Sequence, residues 1–231
     1  MIVAEQKKMD EILRSIRGYR SVAVVACGTC VAVSMSGGEK EALKIASIIR
    51  HRAKLDGLDT RVTVTSAIRQ CDMEFLDELD DAPGMVDSDC VLSLGCGAGV
   101  QFMVEKYPYK VVVPGLNTTF LGVNRAPGYW TEMCQGCGNC VLERTGGICP
   151  VSRCCKSHFN GPCGGSSGGK CEIDPDIGCA WQMIYDRLKR IGQEDRLLDI
   201  NEARDWRTSR DGGPRGHIRA DIVVAEDTQR E

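Results

Sequence analysis

The sequence has little of what several function classes require. Its 231 residues include only three histidines, and aromatic residues make up 5%. No constellation for acid–base or nucleophilic catalysis stands out. There is no positive excess: 29 Lys and Arg against 32 Asp and Glu give a net charge of −3, without the basic surface of a nucleic-acid binder. No apolar run approaches the roughly 18 residues of a membrane span. Residues 1–18 carry Glu5, Asp10 and Glu11 among their lysines, which fits neither a secretion signal nor a transit peptide, so a cytoplasmic chain is expected. Apolar residues at 42% and charged residues at 26% exclude wholesale disorder.

Against these scarcities stand fourteen cysteines. In a reducing cytosol so many thiols point to metal or cluster ligation, or to redox chemistry, rather than to structural disulfides. Cys27, Cys30, Cys71, Cys90 and Cys96 are spread through the first hundred residues, whereas Cys134, Cys137, Cys140, Cys149, Cys154, Cys155, Cys163, Cys171 and Cys179 crowd together. That contrast divides the chain into an α/β domain (1–128), a cysteine-rich domain with a closing helix (129–192) and a charged tail (193–231).

In the first domain, residues 5–18 carry Met9, Ile12, Leu13 and Ile16 at helical spacing and are expected to be a helix ended by Gly18. SVAVVACGTC, RVTVTSAI, CVLSLG and KVVVPGL read as strands. Helices fall between them at 39–57, with Leu43, Ala46, Ile49 and Ala53 as the apolar stripe, at 73–82 and at 99–107. Alternating strands and helices predict a flavodoxin- or Rossmann-like parallel sheet of at least four strands. Its carboxyl edge, where ligands of such sheets bind, then receives Cys27 and Cys30 after the first strand, Cys71 after the second and Cys96 after the third. Four thiols from three segments make a four-thiolate site, with a redox pair at Cys27 and Cys30 as the alternative. Cys90 starts a strand and reads as a small buried hydrophobe. GCGAG (95–99) lacks the full dinucleotide fingerprint and is better read as a tight turn bringing backbone close to a cofactor.

Between Cys134 and Ala180 there are only eight apolar side chains besides cysteine, too few to order the chain without a staple. CQGCGNC places three thiols at C-x2-C-x2-C, and Cys149 follows in a Cys-Pro pair. This resembles the ferredoxin arrangement, with a wider gap before the Cys-Pro. Zinc sites more often join two separated C-x2-C pairs. In this reading Cys149 and Cys154 join two of Cys163, Cys171 and Cys179, and the remaining one completes the first site. Spacing does not say which one. Ten glycines in this stretch allow tight wrapping, with backbone N–H groups turned toward anionic sulfur. Cys155 reads as a spare thiol and His158 as an ordinary loop residue. Residues 180–192 form a helix with Trp181, Ile184, Leu188 and Ile191 as its core face. The tail is expected to be disordered or a docking arm, with Trp206 favouring docking.

The segment CQGCGNCVLERTGGICPVSRCCKSHFNGPCGGSSGGKCEIDPDIGCAWQMIYDRL strongly resembles the cysteine-rich domain of the MetV-type small subunit of methylenetetrahydrofolate reductase in acetogens and related anaerobes. CGTC and GCGAGVQ match the N-terminal domain of that family. The resemblance implies a subunit that is not catalytic alone and carries 4Fe–4S clusters. It pairs with a flavin-bearing catalytic subunit and takes electrons from an upstream input subunit. It supports Cys134, Cys137, Cys140, Cys149, Cys154, Cys163, Cys171 and Cys179 as eight ligands, enough for two clusters. Cys27, Cys30, Cys71 and Cys96 suffice for a third. Cys155 stands where the family usually has proline. The alternatives are a zinc-stapled scaffold subunit of the same reductase and a thiol- or corrinoid-dependent methyl-transfer protein.

Overall fold

The computed structural model describes residues 1–82, 84–219 and 221–222. The chain separates into two compact units, Met1–Met133 and Cys134–Glu231. The expected boundary at 128/129 falls within the first of them.

The first unit begins with β1 (Ile2–Gln6) and α1 (Met9–Ser15), followed by β2 (Ser21–Cys27), the single-turn α2 (Cys30–Val33) and α3 (Glu39–Leu55). Then come β3 (Arg61–Ala67), α4 (Met73–Asp77), β4 (Cys90–Ser93), α5 (Gly97–Lys106), β5 (Val111–Pro114), β6 (Leu116–Ala126) and β7 (Tyr129–Cys134). Four strands pair in parallel in the order β3-β2-β4-β5. The central strand β2 is buried along its whole length, as a strand covered on both faces must be. Val22, Val24 and Ala26 pack toward α1 and α3, while Ala23 and Val25 pack toward α4 and α5. The chain leaves β2 on one side for β3 and crosses to the other side for β4. The switch point therefore lies at the carboxyl ends of β2 and β4, where doubly wound sheets bind ligands.

Two expectations need correction. The helix expected at 5–18 starts late: Glu5 and Gln6 instead pair with Asn117 and Leu116 of β6. With β7, these strands form a separate antiparallel sheet in the order β1-β6-β7. A turn with Gly128 at φ 81° closes the β6–β7 hairpin. Leu43 is 52% exposed, and α3 buries Ala42, Ile45, Ala46, Ile49 and Ala53 instead. The turn before α3 demands glycine: a Cβ on Gly37 would lie 2.0 Å from the Leu94 carbonyl oxygen.

The described part of the second unit contains the single turn α6 (Pro150–Arg153), α7 (Ala180–Arg190), three short 3-10 turns and isolated bridges at Lys170. A ferredoxin-like arrangement of strands is not present among its described residues. Trp181, Ile184 and Leu188 of α7 form its core, with Ile148, Cys154, Cys179 and Ile191 against them. The tail, as far as it is described, is not a free arm. Its 3-10 turns at Glu194–Leu198, Trp206–Thr208 and Arg210–Gly212 return onto loops of the same unit. Ala220 and residues 223–231 lie outside the described residues. No described helix is long and apolar enough to cross a membrane.

Cys90 has no solvent exposure, and burial, helped by the negative charge of Asp89, pushes its thiol from 9.0 up to about 11. An acid whose folded value is raised adds stability that is complete below the unfolded value and lost as pH rises through the folded one. Unfolding free energy should therefore fall by about 2–3 kcal/mol between about pH 9 and pH 11. Denaturant titrations of the wild type and Cys90→Val should show a decline that is smaller by this amount in the variant.

Candidate metal centres

At the carboxyl edge of the parallel sheet, Cys27 closes β2, Cys30 opens α2, Cys71 follows β3 and Cys96 is the N-cap of α5. Cys27 is buried, Cys30 and Cys96 are half-buried and Cys71 is exposed. The four are electrostatic neighbours. Partial burial, and then the charges of Cys96, Cys27 and Cys30, push the Cys71 thiol above its ordinary value. Two of them, Cys30 and Cys96, sit at helix starts.

Gln70, which the sequence reading overlooked, fixes this edge. It is fully buried, and its Nε2 donates to the carbonyls of Val25 at 3.0 Å and Ala26 at 3.1 Å. Its Oε1 accepts from the Ser93 hydroxyl at 2.5 Å, and that hydroxyl oxygen accepts from the Gly95 N–H at 3.1 Å. One amide thus ties the Cys71 loop, the end of β2 and the turn before Cys96 together. Two glycines of GCGAG make room for this amide. A Cβ on Gly95 would lie 2.4 Å from Gln70 Oε1, and one on Gly99 would lie 2.8 Å from Gln70 Cβ. From β6, the Thr118 hydroxyl accepts from the Gly97 N–H at 2.8 Å, pinning the start of α5.

In the second unit one cavity of about 20 Å³ is lined by Cys154, Cys155, Cys163, Cys171 and Cys179. Four of the expected ligands meet there, and Cys155 joins them rather than pointing away. Its side chain hydrogen-bonds that of Cys171. The Ile173 N–H, aided by Cys155, the Asp174 N–H and Lys156, outweighs burial and holds the Cys171 thiol below its ordinary value. Cys179 caps α7. Burial raises its thiol, but the Ser166 hydroxyl and the N–H groups of Gln182 and Trp181 more than offset this and hold it low. Cys163 donates to Glu172 at 3.4 Å. His158 is used through its backbone, its carbonyl accepting from Trp181 Nε1 at 3.0 Å. Cys179, Ser166 and Trp181 also wall a second cavity of about 310 Å³.

Cys134, Cys137, Cys140 and Cys149 do not line the thiol cavity. Cys134 Sγ accepts from the Gly136 N–H at 3.3 Å, Cys137 Sγ accepts from Arg204 at 3.0 Å, and Cys149 caps α6.

No three His, Cys, Asp or Glu side chains among the described residues close on a single metal ion. The donor sets nevertheless fit a thiophilic group, because they are thiols with N–H donors turned toward sulfur. The thiol cavity has room for about one water-sized guest. A cubane would need its loops to spread.

Residues 113–207 match the family model described as Methylene-tetrahydrofolate reductase C terminal, a stretch running from β5 through the antiparallel hairpin, both cysteine loops and α7 to Arg207. No curated protein and no solved structure matches the chain. The chain thus carries a region similar to a methylenetetrahydrofolate reductase C-terminal domain.

Replacing Gln70 by Leu takes the amide donor from the Ala26 carbonyl and the acceptor from the buried Ser93 hydroxyl, while the Val25 carbonyl keeps the Leu94 N–H at 2.8 Å. Unfolding free energy should drop by about 3 kcal/mol. Cys71 and Cys96 should also become faster to alkylate, by mass spectrometry of the native protein, while Cys90 stays protected.

Proposed function

We propose that the chain is an iron–sulfur electron-transfer subunit serving the flavin of a methylenetetrahydrofolate reductase catalytic subunit, with its own electrons supplied by a separate input subunit. The single observation that carries this reading is the meeting of five thiols around one cavity, inside a stretch similar to a methylenetetrahydrofolate reductase domain. This reading departs from the partition expected from spacing: because Cys163, Cys171 and Cys179 all line the thiol cavity with Cys154 and Cys149 does not, Cys149 goes with Cys134, Cys137 and Cys140 on one cluster, and Cys154, Cys163, Cys171 and Cys179 hold a second. Cys27, Cys30, Cys71 and Cys96 hold a third. Bound clusters supply one-electron chemistry that side chains lack.

The protein's own part is to hold and shield. Backbone N–H groups at the α7 start stabilise Cys179 as the thiolate that ligation requires, and those of Ile173 and Asp174 do the same for Cys171. The Gln70 amide keeps the loops of the third site in register. Ile184 and Leu188, with no exposed surface, keep water from one side of the cysteine-rich loops. Hydride and carbon chemistry belong to the catalytic partner.

A zinc-stapled scaffold is the second reading, favoured by the small volume of the thiol cavity, which suits one ion better than a cubane. Oxygen-free purification followed by iron, acid-labile sulfide and zinc analysis separates the two. Iron and sulfide in equal amounts, with visible absorption bleached by dithionite, are expected. Colourless protein with stoichiometric zinc would leave only the scaffold. Cys71→Ser should remove one cluster's worth of iron and leave the rest.

A further inference from the structure

The tail carries a feature that neither the ligand set nor the family match accounts for. Arg204 reaches back across 67 residues to the CQGCGNC loop, where Nη2 donates both to Cys137 Sγ and to the Cys137 carbonyl, each at 3.0 Å. Its guanidinium lies 4.9 Å from the Trp206 ring centroid and 5.8 Å from that of Phe159. Nε and Nη1 are buried and have no hydrogen-bond partner in the protein. Buried guanidinium donors are expensive to leave unsatisfied, and an arginine fork is shaped for an anion. The loop is held from the same side by two further contacts, one from a hydroxyl and one from a second guanidinium. The Thr208 hydroxyl donates to the Cys137 carbonyl at 3.0 Å, and Arg215 Nη1 donates to the Gly136 carbonyl at 2.9 Å. Gly138, at φ 82°, lets the Thr208 carbonyl come so close that a Cβ would lie 2.2 Å from it.

We infer that residues 204–215 form a strap closing the first thiolate site, and that Arg204 is its charge-compensating positioning residue, with Nε and Nη1 held for the anionic metal–thiolate group. This rests on the reading of Cys134, Cys137, Cys140 and Cys149 as one site. A fixed positive charge beside that group favours its more negative, reduced form. It also slows loss of the metal, as partners of ligating atoms generally do. Thr208 shares the strap but brings no charge.

The test uses the full chain, purified without oxygen, as wild type, Arg204→Gln, Arg204→Lys and Thr208→Val. The readouts are metal content, the rate of metal release to a chelator and, for iron-loaded protein, the midpoint potential. Arg204→Gln should release metal at the affected site about tenfold faster. Its potential should fall, with a tenfold change in the reduced-to-oxidised ratio corresponding to about 59 mV for one electron. Arg204→Lys should recover the potential in part, and Thr208→Val should keep it. Equal potentials and release rates in wild type and Arg204→Gln overturn the assignment of Arg204 alone. The same release rate in Arg204→Gln and Thr208→Val, with unchanged potentials, reduces the strap to a mechanical anchor and also overturns the charge role. A chain that binds neither iron nor zinc overturns this inference together with the proposed function.

Discussion

The cysteine-rich unit depends on holding sulfur in place with very little apolar packing. Its core is one face of α7, where Trp181, Ile184 and Leu188 are buried with Cys154 and Cys179 against them. The loops around that face are rich in glycine and have no sheet among the described residues to fix their course. Hydrogen bonds from backbone N–H groups to sulfur therefore do work that side-chain packing does elsewhere. Cys179 at the α7 start joins the two: its residue packs on the core, while its sulfur meets the first-turn N–H groups. The apolar anchor and the thiol cavity are thus built from adjacent residues.

The sheet domain solves the same problem by different means. Its thiols stand on the ends of buried strands and the starts of helices, whose positions are set by a core that needs no metal. The Gln70 amide then joins the ends of β2, β3 and β4 by hydrogen bonds of 2.5–3.1 Å. A fully buried polar side chain of this kind is tolerated only when its donors and acceptors are satisfied. Here they are, by the strand-end carbonyls and by Ser93.

Periodicity made the parallel sheet legible, because β-branched runs such as SVAVVAC are buried on both faces and helices fall between them. The carboxyl-edge cysteines followed from topology alone. The antiparallel sheet did not, because β1 is five residues long and merges with the amphipathic pattern of α1, so its pairing with β6 depends on a partner more than a hundred residues away. Leu43 failed for a local reason. One helical position shifts a side chain by about 100°, and a stripe of short alanines marks the buried face less sharply than leucine does. Gln70 left no signal, since a polar residue after a strand normally reads as loop. Arg204 was hidden in the same way, inside a charged segment that reads as solvated when its distant partner is unknown.

On the proposed function, the two thiol groups should answer differently to the loss of their clusters. At the sheet edge, the backbone that places Cys27, Cys71 and Cys96 is fixed by strand pairing and the Gln70 amide, so an emptied site keeps its form and its thiols stay neighbours. In the cysteine-rich unit the contacts that gather Cys163, Cys171 and Cys179 are loop hydrogen bonds and the Cys163–Glu172 contact at 3.4 Å. Several involve the thiols themselves, alongside backbone bonds from the Cys171 N–H to the Ile177 carbonyl at 2.9 Å and from the Cys179 N–H to the Gly169 carbonyl at 2.8 Å. On the proposed function, removing the bound group there removes a common partner of the loops and leaves α7 and these backbone bonds to organise them. On that reading the order of the cysteine-rich unit depends on its bound group more than that of the sheet unit does, and the difference follows from where the apolar residues lie.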